Sequence, residues 1–423
     1  MSQETIRQAF PDKATPLVSY GIPFTESCAK HVQKLKASRV YLIAGKSLTK
    51  NTSFTSDLQK ALGASLAKTR VGMTPHTLMS EVLEIVEECR TVNADCIVTL
   101  GGGSLSDAAK VITFALANNV KTQVELVKLP HLGGKSSNFS TDNNINAHAP
   151  TVPIICIPTT LSGGEYSTYA GVTDHLTGEK VQFCPPIASP DVIILSGELA
   201  CSTPLDVWLQ SGMRAVDHCI ETLASLKSTP EVDEFVTKSL KCLIPGLLNA
   251  KANFGMEDGK AQEIKAREEC QIGVMWAMIF LHRKVACGAS HGIGHMLGPM
   301  FHVGHGETSC ILLPAACRFN AIHGGKEILS RQQLMRDALW SVGEARKRYE
   351  REGLNEENAR VDQLLDVVIR ELGLKRRLSE VGVVERKDLE RLAEASLRDP
   401  FLITNAVPIT TKEQVLEILE MSA

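Results

Sequence analysis

The sequence lacks any apolar run long enough to cross a membrane. Its hydrophobic stretches are interrupted well before the roughly 18 residues that a membrane helix needs. The first segment, MSQETIRQAFPDKATPLVSYG, also lacks the basic start and continuous apolar core of a secretory signal. We therefore expect a cytoplasmic protein with no membrane partner.

A strong charge of either sign and paired cysteines are missing as well. The 423 residues carry a formal net charge of −3, which gives no reason to expect a nucleic-acid partner. The twelve cysteines are scattered without a CxxC pair and predict reduced, mostly buried thiols rather than a zinc ribbon or a disulfide framework. A chain of this length predicts two domains, and a homodimer is the default expectation.

The first half of the sequence alternates short β-branched apolar runs with helical patterns. Such alternation predicts an α/β domain with a parallel sheet, which we place at 1–200. A segment rich in Gly, Ser and Asn at 127–150 predicts an exposed loop. The predicted strands cover 38–45, 94–100 and 152–160, and the predicted helices cover 56–68 and 76–92.

Convincing strand patterns are absent from the second half. Long segments with helical apolar spacing predict an all-helical domain at 201–423. Within it, the tract 348–378 mixes charges of both signs with that spacing and predicts a solvated helix face.

A glycine-rich turn directly follows the strand predicted at 94–100. It reads GGGSLSDAAK at 101–110 and opens a helix for which Ser104 is the predicted N-cap. Glycines allow a ligand to approach the backbone, and the free amides of a helix start suit a pyrophosphate. The turn is not a GxGxxG fingerprint, and a tight strand-to-helix connection without a ligand also uses glycine. A second turn of small and hydroxyl residues follows the strand at 152–160, and two such turns at strand ends predict one crevice.

Histidines are concentrated near residue 300. His291 and His295 are spaced i, i+4 on one helical face, and His305 follows in a glycine-containing segment. This pattern favours either a metal site or a proton donor with an oriented neighbour over a structural histidine.

These motifs together resemble the iron-type alcohol dehydrogenase superfamily, which has the dehydroquinate synthase-like fold. GGGSxxDxAK followed by PTTxxGxE is its paired signature, and SGMRAVDHCIE at 211–221 resembles its motif GMDAxxHxxE. The resemblance implies an NAD(P)-dependent oxidoreductase. It implies a cofactor-binding set of Gly45, Lys46, Gly101, Gly102, Gly103, Ser104, Asp107, Thr159, Thr160, Ser162, Lys180 and Leu199.

One departure from the superfamily concerns its metal. The resemblance implies four ligands, of which His218, His291 and His305 are present, whereas Arg214 stands in place of the aspartate. An arginine does not ligate a cation, and two unit charges about 4 Å apart repel by roughly 4 kcal/mol at an effective dielectric near 20. We expect no iron or zinc. Asp217 as a replacement ligand stays open, although it lies about 100° around the helix from His218.

The same departure characterises the maleylacetate reductases within the superfamily. They lack this aspartate, work without a metal and carry His-x-Glu-Thr, as this chain does in HGET at 305–308. The resemblance therefore implies reduction of an anionic small molecule, maleylacetate to 3-oxoadipate, in aromatic-compound degradation. His295 is the candidate proton donor. The residues implied for catalysis are Arg214, His218, His291, His295, His305 and Lys180.

The cofactor preference depends on the turn after the first strand. It reads AGKSLTK and has no acidic residue to hold a ribose, while Lys46 lies close by, so we expect NADPH or NADH with a leaning to NADPH. Three alternatives stay open: a metal-dependent alcohol or aldehyde dehydrogenase, a dehydroquinate-synthase-like lyase, and a binding protein without catalysis.

Overall fold

The chain forms two compact units, Met1–Ser202 and Thr203–Ala423, which we call the α/β unit and the helical unit. The computed structural model describes residues 3–74, 77–132 and 147–423. None of the helices in these ranges is both long enough and apolar enough to span a membrane.

The α/β unit is built on a seven-stranded sheet. Its strands, together with those of a small second sheet, are β1 Thr5–Gln8, β2 Leu17–Tyr20, β3 Val40–Ala44, β4 Leu66–Val71, β5 Cys96–Gly101, β6 His131–Leu132, β7 Ile154–Pro158, β8 Ala170–Thr173, β9 Lys180–Phe183 and β10 Val192–Ile194. The main sheet has the order β1-β2-β10-β7-β5-β3-β4, and the small sheet has the order β6-β9-β8. Along this spatial order, every pair of neighbouring strands from β2 to β4 is parallel, and β1 pairs with β2 in the antiparallel direction. This confirms the predicted parallel sheet.

Helices bury the central strands of this sheet. Every residue of β3, β5 and β7 is buried, as expected for apolar strands covered on two faces. The helix α4 buries Met79, Val82 and Val86, which are spaced as one apolar helical face. The helices of the unit are α1 Phe24–Lys34, α2 Lys46–Asn51, α3 Phe54–Leu62, α4 Met79–Thr91, α5 Gly103–Ala117, α6 Gln123–Leu126 and α7 Gly197–Ala200.

One prediction about this unit needs correction, and two others fall partly outside the described residues. The helix predicted at 56–68 ends at Leu62, because Gly63 takes a positive φ of 50°, and β4 follows where helix was expected. As an edge strand, β4 exposes Lys68 and its neighbours and has no apolar run. Of the predicted loop at 127–150, residues 133–146 lie outside the described residues, as does the first residue of the helix predicted at 76–92.

Between residues 203 and 423, all of which are described, the helical unit contains no strand, which confirms the predicted all-helical half. One core cluster joins α12, α13, α17 and α19. In the tract 348–378, α16 buries Leu364 and Leu365 while Arg348 and Glu371 pair near the surface. The helices are α8 Leu205–Ala224, α9 Pro230–Asn253, α10 Lys260–Ala277, α11 Ile279–His282, α12 Ala289–Phe301, α13 His305–His323, α14 Lys326–Trp340, α15 Gly343–Arg351, α16 Val361–Leu372, α17 Arg386–Ser396, α18 Phe401–Thr404 and α19 Lys412–Met421.

Candidate active site

The glycine-rich turn joins β5 to α5. The helix begins at Gly103, and Gly102, with φ −78° and ψ 177°, occupies the N-cap position. The prediction of Ser104 as N-cap is therefore wrong, because the extended Gly102 starts the helix two residues earlier. No side chain of the described residues caps this helix start. Its first amides and the positive end of the helix dipole are left for an anionic ligand.

Close packing requires glycine in this turn. Gly101 has φ +155°, and a Cβ there would lie 2.6 Å from Cδ1 of Leu105. A Cβ on Gly103 would lie 3.2 Å from Cβ of Ser162, which belongs to the second predicted turn. The amide of Thr159 donates to the carbonyl of Gly101 at 3.1 Å. The fold thus brings the two predicted turns together.

The neighbouring strand ends lie at the same edge of the sheet. The amide of Gly45 donates to the carbonyl of Leu100 at 2.9 Å, and the amide of Gly72 donates to Ala44 at 2.8 Å. Lys46 begins α2 there and is exposed. The carboxyl ends of β3, β4, β5 and β7 therefore form one polar edge, which is where parallel sheets bind ligands.

A buried lysine holds the second turn against α5. Nζ of Lys110 donates to the carbonyl of Gly164 at 2.9 Å and to that of Tyr169, and it lies 3.0 Å from Oδ1 of Asp107. The other oxygen of Asp107 accepts the amide of Gly171 at 3.1 Å. Sequence reasoning missed Lys110, although it ends the quoted motif, and expected Asp107 to contact the cofactor. In the structure, the described contacts of Asp107 are with Lys110 and with the amide of Gly171.

The other residues of the predicted cofactor set range from exposed to fully buried. Lys180 is exposed on β9, and its stem crosses Gly171 so closely that a Cβ there would lie 2.4 Å from Cε. Leu199 is fully buried in the core of the α/β unit. The remaining hydroxyl residues, Thr160 and Ser162, bond to each other at 3.0 Å.

In the helical unit, α8 and α12 bring two predicted histidines together. The rings of His218 and His291 stack with centroids 4.7 Å apart. Nδ1 of His291 lies 2.7 Å from Oε2 of Glu221, whose carboxylate also accepts the amides of Gly288 and Ser290 at 2.9 and 2.8 Å. A carboxylate partner favours a proton on Nδ1, so the neutral ring carries its lone pair on Nε2.

Both buried rings have a nitrogen without a partner. Nδ1 of His218 and Nε2 of His291 form no hydrogen bond with any described residue. Burial holds the pKa of each imidazole well below its usual value, and the charge of Arg214 acts in the same direction. Both rings are therefore neutral at neutral pH, and their unpartnered nitrogens are available to a ligand.

Arg214 is buried beside an acidic residue. Only 4% of it is exposed, its NH1 donates to Oγ of Ser309 at 3.0 Å, and it lies 3.7 Å from Oδ2 of Asp217. That oxygen also accepts the hydroxyls of Ser290 and Ser309 at 2.8 and 2.5 Å. Burial and the neighbouring Glu221 raise the pKa of Asp217, while the guanidinium opposes them. Arg214 thus contacts Asp217 directly and through the hydroxyl of Ser309 inside the unit.

The remaining histidines extend the pair toward solvent. The ring of His295 meets that of His291 edge-on at 6.5 Å and stacks on that of His305 at 5.9 Å. His291 is buried, the side chain of His295 is 34% exposed, and His305 is exposed. We call His218, His291, His295 and His305 the histidine row. The helical unit therefore assembles all four predicted histidines.

The site fits the superfamily metal poorly. The guanidinium of Arg214 stands where the resemblance implies the fourth ligand, and Asp217, the open replacement, is bonded to two serines. Within the described chain, the metal-binding side chains whose ligand atoms lie within 4.8 Å of one another are Glu221, Cys287 and His291. Glu221 already accepts three N–H groups, and burial raises the pKa of the Cys287 thiol, which disfavours the thiolate that a metal requires.

Comparison with known proteins identifies the family. Residues 18–196 match the model of the iron-containing alcohol dehydrogenases, and residues 208–423 match the C-terminal model of the same family. The chain is 31% identical to Dehydrogenase FUM7 of Gibberella moniliformis, with all of both chains covered. It is 34% identical to Dehydrogenase ALT3 of Alternaria alternata, over 90% of this chain and 98% of that one. The chain belongs to the iron-containing alcohol dehydrogenase family and is an oxidoreductase.

Solved structures share the fold at lower identity. An iron-containing alcohol dehydrogenase from Thermococcus thioreducens has a TM-score of 0.76 at 19% identity, covering 96% of this chain and 97% of its own. Maleylacetate reductase from Agrobacterium tumefaciens has a TM-score of 0.67 at 21% identity, covering 96% and 95%. These likenesses confirm the predicted fold class.

Proposed function

We propose that the chain is an NAD(P)H-dependent reductase of the maleylacetate reductase type that works without a divalent metal. The observation that carries this proposal is the buried Arg214 at the position where the family's metal aspartate is expected. A guanidinium is a permanent cation in this region, whatever the supply of metal. Its field would stabilise the negative charge that develops on a substrate oxygen.

The chemistry requires a hydride and a proton. A bound nicotinamide would supply a hydride for an electron-poor alkene carbon conjugated to a ketone, and a side chain of the protein would supply the proton that completes the reduced product. His295 supports the proton step because its ring joins the buried histidines to the exposed His305. An anionic substrate is favoured by the HGET segment, which the maleylacetate reductases share, and by the cation at Arg214.

The dinucleotide would bind at the polar edge of the α/β unit. The uncapped start of α5 suits its pyrophosphate. The exposed Lys46 at the end of β3, with no acid beside it in the sequence, supports NADPH over NADH. A metal-dependent alcohol dehydrogenase is the second candidate, because Glu221, Cys287 and His291 place three ligand atoms together.

The proposal is tested by following oxidation of NADPH and NADH with maleylacetate, with its uncharged diester and with a series of aldehydes. We expect maleylacetate to be reduced faster than any aldehyde, with NADPH preferred. The diester is the matched control for charge, and we expect its KM to be higher. Turnover of aldehydes alone would contradict the substrate class, and an absence of turnover with every compound would contradict the proposed function.

A further inference from the structure

A carboxylate far away in the sequence lies against His295. Oδ2 of Asp399 is 2.8 Å from Nδ1 of His295, although 104 residues separate the two. The side chain of Asp399 is 9% exposed, whereas that of His295 is 34% exposed. The second oxygen of Asp399 accepts the amide of Phe401 at 2.9 Å. A backbone amide therefore holds one oxygen of the carboxylate, and the other oxygen faces the imidazole of His295.

The segment that carries Asp399 is fastened to the start of α12. Thr404 donates its hydroxyl to the carbonyl of Cys287 at 2.7 Å, and Asn405 accepts the amide of Ala289 at 3.1 Å. The approach leaves little room for a side chain at Gly292, where a Cβ would lie 3.3 Å from Oδ1 of Asp399. The position of the carboxylate relative to the histidine row is thus built into the fold.

This contact selects one form of the imidazole. A carboxylate at Nδ1 holds a proton there, so Nε2 is left as the atom that gives or takes the second proton. The ring plane is held between the stacked His305 and the edge of His291, with the ring of Phe401 5.6 Å away. Tautomer and orientation are therefore both determined by neighbours, of which His291 lies on α12 itself and Asp399, His305 and Phe401 lie outside it.

We propose that Asp399 is a positioning residue for His295 as the proton donor of the reduction. The inference rests on the proposed function. NAD(P)H is oxidised as its hydride adds to the substrate, Nε2–H of the protonated His295 supplies the proton, and solvent returns a proton to the ring. Asp399 touches no reacting atom.

A double-mutant cycle tests this role. We expect Asp399→Asn to lower kcat roughly 100-fold, the low end for a general acid, because an amide can donate to Nδ1 and reverse the tautomer. The KM should change less than the kcat. His295→Ala should lower kcat to a similar extent, and adding Asp399→Asn to it should cause no further loss. Glu417→Gln is the matched control, since Glu417 pairs with the exposed His323 at 2.8 Å, and its kcat should equal that of the unmodified protein.

The outcomes separate a positioning role from a structural one. A wild-type kcat in Asp399→Asn, or a further loss in the double variant, would overturn the proposal. Nitrogen NMR of histidine-labelled protein gives a readout independent of turnover, with the His295 signals assigned by their loss in His295→Ala. We expect the neutral ring to carry its proton on Nδ1 in the unmodified protein and on Nε2 in Asp399→Asn. An unchanged tautomer would also overturn it, whereas inactivity of the unmodified enzyme would contradict the proposed function instead.

Discussion

The two units build their candidate sites from different chemical groups, namely backbone amides in one unit and side chains in the other. In the α/β unit the ligand edge consists of backbone amides and small residues, and charged side chains such as Lys110 stand behind it and hold carbonyls. In the helical unit the side chains themselves form the site, and Arg214, Asp217 and the histidine row contact one another. A backbone site is therefore sensitive to changes of shape, whereas a side-chain site is sensitive to changes of charge.

The largest expected effect comes from breaking the charge balance of the helical unit. Arg214→Met leaves Asp217 buried without its cation, and at pH 9, above the raised pKa of Asp217, we expect the free energy of unfolding to fall by about 3 to 5 kcal/mol. Adding Asp217→Asn should recover much of that loss. Urea denaturation measures both. Arg346→Met is the control, because Arg346 faces Glu350 at 3.9 Å on the surface, and it should cost less than about 1 kcal/mol. A double variant as unstable as Arg214→Met would show that the two charges are not coupled.

The α/β unit also contains a buried acid, Glu165, and we expect its contribution to the stability of the protein to depend on pH. Burial raises the pKa of Glu165 from 4.5 to about 7. A raised folded-state pKa gives a stabilisation that is full below pH 4.5 and is lost as the pH rises through about 7. We expect the stability of Glu165→Gln relative to the unmodified protein to increase over this window by about 1.4 kcal/mol per pH unit, or roughly 3 kcal/mol in all.

The measurement for Glu165 is urea denaturation at a series of pH values between 4.5 and 8. Glu198→Gln changes an exposed glutamate of the same unit and is the control, for which we expect a difference that does not vary with pH. A pH-independent difference for Glu165→Gln would mean that its carboxyl is ionised in the folded protein throughout the range.

A smaller effect is expected from the shape of the phosphate turn. Gly101→Ala places a Cβ at φ +155° and close to Leu105, and backbone strain of about 1 to 3 kcal/mol predicts a loss of NAD(P)H affinity between roughly fivefold and roughly 150-fold. Fluorescence titration of the dinucleotide measures the Kd. Gly343→Ala, where a Cβ would meet open space, is the control. An unchanged Kd for Gly101→Ala would place the dinucleotide elsewhere.

The difference between a backbone site and a side-chain site also explains which features could be predicted from the sequence. The turn at Gly101 and the parallel sheet were predicted because their signals are local: a buried apolar strand, glycines and a helix start. The edge strand β4 was missed because its sequence, LAKTRV, has no apolar run and none of its residues is buried.

In the helical unit the histidines were predicted, but their partners were not. The contact between Arg214 and Ser309 depends on how α8 packs against α13, and no spacing in the sequence indicates it, whereas Asp217 follows Arg214 at i, i+3 on the same helix. The contact between Asp399 and His295 joins a segment before α18 to α12 across 104 residues. Such long-range pairs become visible only when the fold is known.

The central claim is that Arg214 replaces the metal of the family, and metal analysis of the active protein tests it most directly. NADPH turnover with maleylacetate is measured on the same sample before chelation, after chelation and after addition of zinc or iron, with bound metal determined each time. We predict full turnover without stoichiometric metal and no gain on addition. Turnover that is lost on chelation and returns in proportion to bound metal would contradict the account.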